Sequence, residues 1–145
     1  QRNPKYPSFS NDCTNFISQC LFEGGFTQTF SQYRHEGWWL IPNHSNWSFS
    51  WSVAHSLRWY LILSKRGIET NSVDDLSVGD IIFYDFNGDG KFQHSTIIVE
   101  KDGETVLVNA HTSDSFRRDY AYTDSTAYTP NIKYSYIKII NQPSS

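Results

Sequence analysis

Methionine is absent from the 145-residue sequence, and cysteine occurs only twice, as Cys13 and Cys20. Two cysteines are too few for the disulfide framework of a small secreted scaffold. If both lie on one helix, their Cα atoms are about 10 Å apart at 1.5 Å per residue, too far for a disulfide between them. A chain that opens on Gln1 without methionine is expected to have lost an upstream segment, one with room for a signal peptide. Long hydrophobic runs are missing as well. The best, Trp59-Tyr60-Leu61-Ile62-Leu63, is too short for a membrane span or a signal-peptide core.

Positive charge is scarce and scattered. Twelve Lys and Arg against 15 Asp and Glu leave a net charge of −3, and the doublets Lys65-Arg66 and Arg117-Arg118 form no stripe to follow a phosphate backbone. Nucleic acid is therefore not an expected partner. No GxSxG, Walker or GxGxxG motif occurs, so the serine-hydrolase and nucleotide-binding readings fare worse. Neither HxxxH nor CxxC is present, so no zinc site is indicated.

What remains is an ordinary globular composition, 38% hydrophobic and 19% charged, at a length that suits a single domain over residues 1–145 and a monomer. Cys13, Phe16, Ile17, Cys20 and Leu21 recur at helical spacing and Gly24-Gly25 supply a stop, which predicts a helix over 12–23 capped by Asn11 or Asp12. Residues 26–49 have no clean period and read as a long irregular loop. A second helix is predicted over 51–65, with Ser50 as its cap. Strands are predicted at 81–84, 95–100, 105–111 and 134–140, with Asn87-Gly88 and Asp89-Gly90 as turn signals between the first two. Helices ahead of meandering strands give an α+β fold with N-terminal helices packed on an antiparallel β-sheet.

Cys13 falls in the first turn of its helix, near the positive end of the dipole, where a thiolate is favoured. The plainer alternative is a small buried hydrophobe; Cys20, mid-helix on the apolar stripe, reads as core. His94 opens a strand at the sheet edge, where a base can serve a thiol. Asn109 and His111 share a face of the next strand, and either is a candidate to orient His94. Asp85-x-Asn87-x-Asp89-Gly90 matches the first half of an EF-hand loop, but position twelve is Thr96 instead of Glu. The same residues suit a hairpin turn without metal, and calcium, if bound there, would be structural.

Three segments, Ser10-Asn11-Asp12-Cys13-Thr14-Asn15-Phe16, Leu76-Ser77-Val78-Gly79-Asp80-Ile81-Ile82-Phe83 and His94-Ser95-Thr96-Ile97-Ile98-Val99, occur in an order that resembles one family. It is the bacterial putative amidase domain, related to the papain-like NlpC-type and CHAP cell-wall peptidases. The resemblance implies a papain-like fold, Cys13 as nucleophile, His94 as general base, and His111 as third residue with Asn109 as the alternative. It implies an amide substrate in bacterial peptidoglycan, no required cofactor, and a place in the cell envelope or outside the cell. Asn11 and Asp12 beside the nucleophile, and Trp38, Trp39, Trp47 and Trp51, are candidate substrate-binding residues; core packing is the other reading of the tryptophans. A non-catalytic cell-wall or carbohydrate-binding module is the rival function, drawn from the 17% aromatic content.

Overall fold

The structure is a computed structural model and describes residues 12–110 and 117–140. Helix α1 spans Asp12–Glu23, the bounds predicted from its periodicity. Thr14, Ile17, Ser18 and Leu21 form its buried face, three and four residues apart. At its end the Gly24 N–H donates to the Cys20 carbonyl, and Gly25 adopts φ +111°, a left-handed geometry open to glycine.

The second predicted helix is two: α2, Phe49–Ser52, and α3, Ala54–Leu63. Val53 separates them in extended conformation, φ −116° and ψ 123°. The Ser18 hydroxyl donates to the Trp51 carbonyl at 2.9 Å, taking an acceptor that a continuous helix would offer four residues on. Between α1 and α2 the irregular segment contains a small hairpin of β1, Leu40–Ile41, and β2, Asn46–Trp47, around a tight turn at Pro42–His44.

Six strands build the main sheet: β3, Gly67–Thr70; β4, Ile81–Asp85; β5, His94–Asp102; β6, Thr105–Asn109; β7, Arg118–Asp119; and β8, Lys133–Ile139. Their order is β3-β8-β4-β5-β6-β7 and every pairing is antiparallel. The four predicted strands are there, and the fold is α+β as the sequence indicates. β3 and β7 are additions, too short to leave a period of their own.

Alternation divides the sheet into two cores. Ile81, Phe83 and Ile137 face α1 and α3 and pack with Ile17, Leu21, Trp38, Trp51, Leu57 and Leu61. Ile82, Tyr84, Ile98, Val106 and Val108 face the other way and pack with Val73, Leu76 and Tyr122. Burying one such side chain contributes about 1.5–3 kcal/mol, so a one-residue slip of register would cost both layers at once. No helix among the described residues is long and apolar enough to cross a membrane.

Candidate functional site

Cys13 is the second residue of α1 and is half-buried; His94 is the first residue of β5 and is half-buried. Their chain neighbours are in direct contact. The hydroxyls of Thr14 and Ser95 share a buried hydrogen bond of 2.9 Å, which places the start of α1 against the start of β5. The N–H groups of a first helical turn have no intrahelical acceptor, so the peptide dipoles of a twelve-residue helix favour negative charge at this end.

Register fixes the faces. Ser95 pairs with Phe83 and looks toward α1, whereas His94 pairs with Tyr84 and its ring lies among aromatic side chains. Ring centroids of Tyr84, Phe86 and Tyr122 are 5.4, 6.0 and 5.1 Å from the imidazole. His94 Nε2 is hydrogen-bonded to the Tyr122 hydroxyl at 2.8 Å. Nothing in the sequence singled out Tyr122, which lies in a turn outside any periodic element.

Of the two residues expected to orient His94, His111 lies outside the described residues, as does Asn11. Asn109 is turned away. It pairs with Ile97, an odd number of residues from His94 and hence on the opposite face, and its Oδ1 accepts the Arg117 N–H at 2.6 Å. Asp12 opens α1, directly before Cys13. Cys20 is separated from such chemistry by its surroundings, since burial pushes its thiol up to about 11.

The expectation that Trp38, Trp39 and Trp51 line a substrate groove is corrected by their burial, at 0%, 1% and 0% exposure. Trp38 stacks on Trp51 at 4.8 Å and donates its Nε1–H to Ser18. Trp51 Nε1–H donates to Asn15 Oδ1 at 2.9 Å, and Trp39 Nε1–H to the Glu36 carbonyl. Trp38 and Trp51 belong to the core under α1, and each of the three rings has an acceptor for its one polar atom. The exposed aromatic residues among those described are others: Phe30, Tyr33, Phe49 and Trp59. Phe49 and Trp59, with His35, Ser56 and Leu63, line a groove of about 430 Å³ beside α3.

At the end of β4, where the loop to β5 begins, Asp85 is fully buried and already satisfied. Its Oδ1 accepts the N–H groups of Gly88 and Asp89 at 2.9 and 3.1 Å, and its Oδ2 that of Gly90 at 2.7 Å. Burial acts to raise its pKa, but the three N–H donors outweigh that and hold it below the usual carboxylate range. Asp89 Oδ1 is likewise turned to the Lys91 N–H. With Asp85 and Asp89 pointed into the loop, the turn coordinates its own backbone, and no group of three metal-ligating side chains occurs among the described residues.

Residues 1–137 match the family model described as "Putative amidase domain". The chain is 50% identical over 145 residues to the "Uncharacterized protein YhbB" of Bacillus subtilis (strain 168), an alignment that covers 97% of this chain and 46% of that protein. The chain thus spans somewhat under half the length of that relative. No solved structure matches it.

Proposed function

The chain belongs to the family of amidase domains whose model it matches over residues 1–137, and from that premise we propose that it is a cysteine-dependent amidase with Cys13 as nucleophile and His94 as general base. The observation that carries the reading is the buried Thr14–Ser95 hydrogen bond, which brings the residues next to both groups into contact. His94 stands where the sheet ends. With Nε2 bonded to the Tyr122 hydroxyl, the proposal assigns proton exchange with the thiol to Nδ1.

In the proposed cycle the Cys13 thiolate attacks an amide carbonyl and the developing oxyanion is met by N–H groups of the first turn of α1. The imidazolium of His94 then protonates the leaving amine. Water, deprotonated by the same imidazole, hydrolyses the thioester and regenerates the thiol. The papain-like architecture of NlpC-type and CHAP peptidases, a peptidoglycan amide as substrate and an extracytoplasmic location belong to this proposal. They are supported by the order of the DCTNF, LxxGDIIF and strand-leading histidine motifs.

The test is the pH dependence of Cys13 alkylation by iodoacetamide in a Cys20→Ala background, with and without His94→Ala. An apparent thiol pKa well below about 8.5 that rises in the His94 variant is the expected result, together with loss of hydrolysis of purified peptidoglycan in Cys13→Ala. A thiol that titrates normally and is indifferent to His94, with hydrolysis retained in Cys13→Ala, overturns the reading.

A further inference from the structure

Resting on the reading of His94 as base, we infer that Tyr122 is a positioning residue that holds the His94 imidazole through Nε2. The Tyr122 hydroxyl meets His94 Nε2 at 2.8 Å, and the two rings are tilted by 54° with centroids 5.1 Å apart. An imidazole so held cannot rotate about its ring bond without breaking that hydrogen bond.

Tyr122 is placed at some cost. It is 3% exposed and adopts φ +61°, a left-handed conformation unfavourable for a bulky side chain. Such strain persists only where the surroundings over-determine it, and here they do. The Tyr122 N–H donates to the Asp119 carbonyl at 3.3 Å, and its carbonyl accepts the Ser125 N–H at 3.0 Å. The Arg118 guanidinium lies 4.3 Å from the centre of the ring and is itself held by Asp124 at 3.1 Å. The Tyr84 ring packs against it at 4.8 Å. Within this geometry Tyr122 packs its ring in the second core and directs its hydroxyl at His94 Nε2.

The chemistry follows from the two nitrogens of imidazole. When the phenol oxygen accepts from Nε2–H, one proton is fixed there and Nδ1 keeps the lone pair that takes the thiol proton. The third group of a triad sets the tautomer and ring orientation in this manner without touching substrate.

Tyr122→Phe removes one oxygen and retains the ring, its stacking and its cation contact, so it is the informative variant. It is compared with Cys13→Ala and His94→Ala for hydrolysis of muramidase-solubilised peptidoglycan, and by ¹⁵N NMR of the histidine rings with His94→Ala giving the assignment. The expected result is a kcat lowered by roughly tenfold or more with KM little changed, and a shift of His94 away from the Nε2–H tautomer. Unchanged kcat and unchanged tautomer in Tyr122→Phe, with Cys13→Ala and His94→Ala inactive, overturn the role of Tyr122 and leave the Cys–His reading standing. Full turnover in Cys13→Ala overturns that reading, and the role of Tyr122 with it.

Discussion

The hydroxyl of Thr14 is bonded to the hydroxyl of Ser95 in a fully buried setting, 81 residues apart in sequence. It is a short polar tie between a helix and a sheet, and it lies one residue from each proposed reacting group.

Removing one side of that tie leaves the other hydroxyl buried without its partner. Thr14→Val is expected to destabilise by about 1–3 kcal/mol and to slow Cys13 alkylation by shifting the start of α1. Adding Ser95→Ala removes the orphaned hydroxyl, so the double variant is expected to be less destabilised than the sum of the singles. Urea unfolding of the four proteins gives the coupling.

Trp51 is a stability residue on this structure. Trp51→Phe deprives Asn15 Oδ1 of its donor, and Asn15 Nδ2 is already buried without a partner. A loss of about 2 kcal/mol or more is expected, with KM unchanged. Calorimetry beside steady-state kinetics checks it; a raised KM at unchanged Tm would return the ring to a substrate-contacting role.

Acid sensitivity follows from Asp85 and Glu69. At Glu69 burial raises the pKa, but hydrogen bonds from the Ser135 hydroxyl and the Arg58 guanidinium and the charge of Arg58 outweigh it, and the net direction is downward, as at Asp85. A carboxylate lowered on folding lends stability that is complete above its unfolded pKa, about 4, and lost as pH falls through its native value. Stability is therefore expected to be level, so far as these groups decide it, above about pH 5 and to decline below pH 4. Asp85→Asn is expected to be less stable at neutral pH and to show a shallower acid decline, read from urea midpoints across the range.

Millimolar calcium is expected to leave Tm unchanged, because both oxygens of Asp85 already accept N–H groups of the loop. An ion bound only by the folded state would raise Tm with its concentration. Such a rise, abolished by Asp89→Asn, would show that the loop opens to a metal.

Gly37→Ala is expected to be severely destabilising. Gly37 has φ +74°, and an added Cβ would run into the carbonyl oxygen of Thr29, which accepts the Trp38 N–H in the bridge that closes this loop. Thermal unfolding of this variant, with Gly90→Ala as the left-handed control in open space, separates the clash from backbone strain.

Helix α1 was legible to the residue because its stripe, its N-terminal polar residues and its glycine stop all agree. The second helix was over-read because its break at Val53 goes with a tertiary contact, the Trp51 carbonyl accepting from Ser18, 33 positions away. Cys13 and His94 stood out through residue type and place within an element. Tyr122 did not, since its contact with His94 is made by a turn 28 residues away and no local period reports it. The tryptophans misled for a related reason: composition shows that large rings are present, but the acceptors that let them be buried, Ser18, Asn15 and the Glu36 carbonyl, are supplied by the fold.

The strand order has a temporal side. β8 is the last strand among the described residues and is inserted between β3 and β4, where it supplies the hydrogen-bonding partner of both. As the chain leaves the ribosome, β4, β5 and β6 can pair with one another as they emerge, but β3 has no sheet to join until residues 133–139 are out. Until then the edge of β4 stays open, a template for any other extended segment. Nascent chains halted before residue 133 are therefore expected to be exposed to aggregation, and closure of this sheet waits for the synthesis of β8.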